Sequence, residues 1–266
     1  MAVSAFERGK GIMEITAHYA EPPPREAVLA LLRQAARGQK FEALRIEPVL
    51  ERNWVAEAEA LRGKVRAGRF LVHGSHDRSK VARNSRTLEI DAGLAFGTAH
   101  HATTRGCLLG LDRILKRRRP KAVLDIGTGT GILAIAAAKV ANVTAIASDI
   151  DPVAVATARD NASRNGVAAQ VQVIEAAGLD HPALRESKAD LLFANILMTP
   201  LLQLAPNFAE VVVPGGVCIL SGLLAAQAPQ VEAQYRAHGF KLDSRILIGG
   251  WATLVMIRAS TTPRRH

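Results

Sequence analysis

The chain has 266 residues, 48% of them hydrophobic and 22% charged, a composition that folds into a globular protein and excludes an intrinsically disordered one. It lacks the 18 consecutive apolar residues of a membrane-spanning helix, and Met1–Lys10 carries Glu7 and no apolar h-region, so a cytoplasmic protein without an export signal is expected. Two cysteines without CxxC spacing, Cys107 and Cys218, predict reduced thiols and no metal. The net charge of +10 leaves RNA or a ribosomal particle open as a partner, although 4% aromatics disfavours stacking platforms for single strands.

In chain order, Met13–Ala17 reads as a strand, and Pro22-Pro23-Pro24 then starts a helix over Arg25–Arg37, stopped by Gly38. Phe41–Glu47 alternates like a second strand, Trp54–Val65 reads as helical, and Arg69–His73 is a short apolar run. Strands alternating with helices predict a small α/β domain over 1–80, followed by a linker and loop over 81–104, a large domain over 105–260 and a disordered tail over 261–266. The Gly- and Thr-rich stretch Gly93–Thr104 admits two readings. It is either a linker whose Thr103 or Thr104 caps the helix running to Lys116, or a loop folded over a ligand. Lys116-Arg117-Arg118-Arg119 ends that helix, where cations suit the helix dipole.

Val123–Ile126 reads as a buried strand, Gly127-Thr128-Gly129-Thr130-Gly131 as a turn, and Ile132–Val140 as a helix. Glycines at alternate positions let the backbone approach a ligand, and the helix aims its first N–H groups into the same space. Open α/β sheets bind nucleotides there, at the carboxyl end of a strand. The spacing is Asp-x-Gly-x-Gly-x-Gly rather than the dinucleotide fingerprint Gly-x-Gly-x-x-Gly. The next apolar run, Val143–Ala147, leads to Asp149, an acid about 20 residues on that can accept both ribose hydroxyls. Asp151-Pro152 opens a helix ending at Asn165-Gly166. Val171–Ile174 and Ala189–Ala194 are further strands, the latter delivering Asn195 beside the glycine loop, where a turn former and a ligand-contacting amide are both possible. A helix over Leu197–Val211 interrupted near Pro206, a strand over Val217–Leu220 and a helix over Ala225–His238 follow. Phe240–Ile248 and Trp251–Ile257 then form a hairpin around Gly249-Gly250. A doubly wound, seven-stranded Rossmann-like α/β sheet with a smaller N-terminal α/β domain is the predicted architecture.

The glycine motif resembles the first motif of S-adenosylmethionine-dependent methyltransferases. Asp91–Thr98, His101 and Thr103-Thr104 resemble the loop that precedes the core in ribosomal protein L11 methyltransferases, the PrmA family. Asp149–Pro152, Asp160-Asn161, Arg164-Asn165-Gly166, Ala194–Leu197 with Pro200-Leu201, and Leu220–Leu224 with Gln227-Ala228 also fit that family. The resemblance implies a protein methyltransferase that transfers methyl groups from S-adenosylmethionine to lysine side chains and the N-terminal amine of ribosomal protein L11, recognised by the N-terminal domain. It implies that Thr104 contacts the methionine end of the cofactor, Gly127 and Gly129 its backbone-lined cradle, Asp149 the ribose, and Asn195 both the methyl and the incoming amine. The family's Gly-Thr-Gly-Thr-His-Pro-Thr-Thr reads here Gly97-Thr98-Ala99-His100-His101-Ala102-Thr103-Thr104. Methylation of another protein's lysine, methylation of RNA, and contact with rRNA through the basic surface stay open.

Overall fold

A computed structural model describes residues 2–7, 13–18, 23–35, 45–46, 63–82, 84–91 and 100–260. The helix expected over Trp54–Val65 and the strand expected over Phe41–Glu47 lie almost wholly outside them, as do loop residues 92–99 and the tail 261–266. The chain divides into two compact units, Met1–Arg52 and Asn53–His266.

In the first unit, β1 (Ala2–Glu7) pairs antiparallel with β2 (Met13–His18), from Ala2 opposite His18 to Glu7 opposite Met13. Helix α1 (Arg25–Ala35) follows the proline run, with Glu26 in its first turn and Arg33 in its last, each placed favourably for the helix dipole.

The second unit opens with a small sheet. Strand β3 (Val65–Ala67) turns at Gly68-Arg69 into antiparallel β4 (Phe70–His73), which pairs in parallel with β5 (Thr87–Glu89). Ala67, Phe70, Val72, Leu88 and Ile90 are buried in one cluster with Cys107, Leu108 and Leu111 of helix α2 (Ala102–Leu115). Residues 63–91 therefore share a core with the large sheet.

That sheet is built from β6 (Ala122–Ile126), β7 (Thr144–Asp149), β8 (Val171–Glu175), β9 (Ala189–Asn195), β10 (Val212–Leu224), β11 (Phe240–Ile248) and β12 (Trp251–Arg258). Its strand order is β11-β12-β10-β9-β6-β7-β8, parallel from β10 to β8 and antiparallel across β12 and β11. The seven expected strands are all present, and the fold is the doubly wound one. Alternation of side chains along each strand supplies two cores. Val123, Leu191, Phe193, Ile219 and Val255 face α2, α3 (Ile132–Ala141) and α4 (Pro152–Arg164). Leu124, Leu192, Ala194, Cys218 and Leu254 face α5 (Met198–Val211) and α6 (Ala228–Ala237). Helix α3, apolar on nearly every side, is buried nearly throughout, as that composition requires.

Three local expectations are corrected. The strand predicted over Val217–Leu220 runs from Val212 to Leu224, with Pro214-Gly215-Gly216 absorbed as an irregularity in its pairing with β9. Helix α2 is capped by His101 rather than by a threonine: its Nδ1 accepts from the Thr103 hydroxyl at 2.7 Å and, more weakly, from the Thr103 amide at 3.4 Å. Burial holds that imidazole below its usual pKa, in the neutral form an accepting nitrogen needs. Helix α5 is not interrupted at Pro206. A proline cannot donate to the carbonyl four residues earlier. Here the Leu202 carbonyl accepts from Gln234 Nε2 of α6 at 3.3 Å, and the neighbouring Leu201 carbonyl from the Tyr235 hydroxyl at 3.1 Å. The partner helix supplies the donor that proline lacks.

Candidate active site

Strand order reverses between β6 and β9. From β6 the chain proceeds outward to β7 and β8, then returns to β9 on the other side of β6. Such a switch point leaves a crevice at the carboxyl ends of the two strands, where doubly wound sheets take their ligands. Ile126 pairs with Ala194, so Gly127 and Asn195 leave their strands side by side.

The glycine turn is held from beneath by Asp125. This carboxylate is 1% exposed, and its Oδ2 accepts from the Thr128 hydroxyl at 2.6 Å and the Ala134 amide at 3.2 Å. Among the described residues its Oδ1 has no hydrogen-bond partner. Burial, more than the Asp149 charge, pushes its pKa up to about 6. Gly127, Gly129 and Gly131 all have positive φ (70°, 54° and 80°), a conformation that costs other residues energy. A side chain at Gly127 would also strike Ile196.

The turn differs from a phosphate cradle in one respect. The amides of Gly127 and Thr128 both donate to the Ser148 carbonyl (2.8 and 2.9 Å), that of Gly129 to Asp149 Oδ2 (2.8 Å), and that of Gly131 to the Thr128 carbonyl (3.0 Å). Amides spent on the protein cannot converge on a pyrophosphate. The arrangement suits a ligand without phosphates.

Asp149 ends β7. Its Oδ1 accepts from the Asp151 amide at 3.1 Å, so each carboxylate oxygen makes one bond and keeps capacity for another. Ile150 beside it is 72% exposed, an apolar face at the crevice that motif spacing alone does not flag. Asn195 meets Thr104: its Nδ2 donates to the fully buried threonine hydroxyl at 3.3 Å. Among the described residues its Oδ1 is buried without a hydrogen-bond partner. A buried acceptor left unmade is costly and marks a place where a donor belongs.

The segment after Asn195 is seated on β10. A side chain at Gly222 would run into the backbone of Ile196, and Gly222 adopts φ +86° in a bulge between the Leu220 and Leu223 pairings with β12. One residue earlier, the Ser221 hydroxyl, fully buried, lies 2.7 Å from that of Thr253 and bonds the Thr103 carbonyl at 3.4 Å. The first turn of α2, which carries Thr104, is tied to the sheet in this way.

The family model for ribosomal protein L11 methyltransferase (PrmA) matches residues 4–259. The chain belongs to that family. A ribosomal protein L11 methyltransferase of Rhodopseudomonas palustris (strain BisB5) is 44% identical over 259 residues, covering 97% of this chain and 88% of the relative. One from Bradyrhizobium diazoefficiens is 47% identical over 256 residues, covering 96% and 87%. The crystal structure of a ribosomal protein L11 methylase from Lactobacillus delbrueckii subsp. bulgaricus aligns with a TM-score of 0.66 at 30% identity, over 74% of this chain and 99% of that one.

For a PrmA-family methyltransferase, Thr104, Gly127, Gly129, Asp149 and Asn195 all lie at the tips of β6, β7 and β9 or on the adjoining turn of α2. Cys107 and Cys218 are fully buried and form no disulfide, with burial raising both thiol pKa values far above the usual range. Among the described residues no group of three or more His, Cys, Asp or Glu side chains could hold a metal, and no helix is long and apolar enough to cross a membrane. The Lys116–Arg119 run sits beyond the far end of α2, about 20 Å along the helix from Thr104 at 1.5 Å per residue. There Lys116 pairs with Asp112 and Arg117 with Asp243, and Arg118 donates to the Gly215 carbonyl. That cluster does not line the crevice.

Proposed function

We propose that this PrmA-family member is a cytoplasmic enzyme that transfers methyl groups from S-adenosylmethionine to lysine side-chain amines, and to the N-terminal amine, of ribosomal protein L11. The observation that carries the reading is the pairing of Asn195 with Thr104 beside Gly127, with Asn195 Oδ1 left as a buried acceptor.

The side chains present fit this cofactor. Asp149 retains acceptor capacity for two ribose hydroxyls, Ile150 offers an apolar surface to a purine, and Gly127 leaves room for close backbone approach. In this reading Thr104, beside Asn195, bonds the methionine end. When bound, S-adenosylmethionine supplies a methyl already activated on a sulfonium, so no protein nucleophile is required. The protein's work is orientation. An amine near pKa 10.4 must lose a proton before its lone pair can attack, and entry into a partly desolvated crevice favours the neutral form. Asn195 Oδ1 accepts an N–H of that neutral amine and fixes its direction, a contribution of proximity and alignment. Recognition of L11 belongs to the N-terminal part of the chain.

The test is methyl transfer from labelled S-adenosylmethionine to purified L11, with ribosomal RNA and the remaining ribosomal proteins offered in parallel. Label is expected on L11 lysines and its N-terminus; label confined to RNA or to another protein overturns the substrate assignment. Asn195→Ala is expected to slow single-turnover transfer about 100-fold, the scale of an orienting contact at the reacting atom, while cofactor affinity changes far less. An unaltered single-turnover rate removes Asn195 from the chemistry.

A further inference from the structure

Helix α4 and its C-cap residue present two asparagines four residues apart, Asn161 and Asn165, to the extended segment that leaves β5. Asn165 Oδ1 accepts the Glu89 amide at 3.1 Å, and its Nδ2 donates to the Glu89 carbonyl at 2.7 Å. Asn161 repeats the pattern two residues on: its Oδ1 accepts the Asp91 amide at 3.1 Å and its Nδ2 donates to the Asp91 carbonyl at 2.9 Å. The spacings match, because four helical residues advance about 6 Å and two extended residues about 6.6 Å. Each side-chain amide replaces a neighbouring strand. Lys139 Nζ adds a bond to the Thr87 carbonyl at 2.6 Å, and Arg164 pairs with the Asp91 carboxylate at 3.1 Å.

Asn161 does one thing its companion does not. Its Nδ2 also donates, at 2.9 Å, to the Thr130 carbonyl inside the glycine turn. The side chain is 1% exposed, with both amide protons and one oxygen lone pair committed to three backbone groups. Holding that carbonyl fixes the Thr130–Gly131 peptide plane, and with it the positive φ of Gly131 from which α3 starts.

We propose that Asn161 is a positioning residue for methyl transfer. It couples the conformation of the glycine turn to the backbone at Asp91. The inference rests on the reading of the glycine turn as the cofactor site. A purely structural clamp would need only the Asp91 bonds. The third bond joins the two segments, so a ligand that stills the turn stills Asp91 as well, and a turn freed from Asn161 holds the ligand less well.

The experiment uses the full chain with S-adenosylhomocysteine as probe, reading amide hydrogen exchange and calorimetric affinity. In the wild type, the probe is expected to slow exchange in residues 87–91 together with 127–131. Asn161→Ala should confine the slowing to the turn and weaken affinity about tenfold, the scale of a lost buried hydrogen bond. Asn165→Ala removes the Glu89 clamp without touching the turn. It should lower the melting temperature yet leave affinity within about twofold, since no bond to the turn is lost. A wild type whose turn is protected while 87–91 is unchanged overturns the proposal, and decides it even if Asn161→Ala does not fold. Equal affinities for Asn161→Ala and Asn165→Ala overturn it also. A wild type that binds no S-adenosylhomocysteine overturns the glycine-turn reading itself, and this inference with it.

Discussion

Asp125 is where the site's construction conflicts most with stability. Its position beneath the turn is useful because two donors converge on Oδ2, yet the same burial penalises its charge and leaves Oδ1 without a partner. With the native pKa raised to about 6, the folded state holds a proton that the unfolded chain has already released. Its contribution to stability is therefore greatest below the unfolded value near 4 and declines as pH rises to about 6. Asp125→Asn, neutral throughout, should gain on the wild type by roughly 2–4 kcal/mol between pH 4 and pH 7, following the 1.4 kcal/mol per pH unit of linkage. Chemical denaturation of both proteins across that range measures the difference; curves that run parallel would show Asp125 to be ionised at little cost. Motif residues such as this one were legible because their spacing is local and the strand–turn–helix that displays them is contiguous in sequence. Asn161 and Asn165 belonged to the family resemblance without a role, since their partners at Asp91 and Glu89 lie 70 and 76 residues away and no periodicity points to them.

At the scale of elements, apolar periodicity located all seven strands of the large sheet, because each strand is buried on both faces or alternates across one. It failed where tertiary structure repairs a local defect. Pro206 is a helix breaker in isolation, and the repair comes from Gln234 on another helix. This makes a specific non-additivity. Gln234→Ala should cost about 1 kcal/mol in the wild type, as it strands the Leu202 carbonyl. In a Pro206→Ala background the new backbone N–H takes over that carbonyl, and the same substitution should cost almost nothing. A double-mutant cycle by thermal or urea unfolding reads the coupling directly. Identical costs in both backgrounds would mean that Gln234 does not stand in for the donor that Pro206 lacks.

At the scale of the molecule, what was not legible is where the chain divides. Composition shifts gradually through residues 53–91, and β3, β4 and β5 look as much like parts of a small α/β domain as of a large one. Their apolar side chains settle the matter by burial: Ala67, Phe70 and Leu88 are fully enclosed in the cluster that contains α2 and α3. Among the described residues, both hydrophobic clusters and every proposed cofactor contact thus fall within 53–266, whereas Met1–Arg52 forms a unit of its own. If recognition of L11 resides at the N-terminal end and chemistry in the rest, the two functions should separate. A chain beginning at Asn53 should unfold cooperatively and bind S-adenosylhomocysteine within about threefold of the full chain, since every proposed cofactor contact is kept. Its methylation of L11 should collapse through a raised KM, because the losses fall on substrate binding rather than on the transition state. Truncation that leaves kcat/KM for L11 intact would move substrate recognition onto the rim of the crevice itself, where Leu197, Leu224 and Trp251 flank Asn195 and the end of β10.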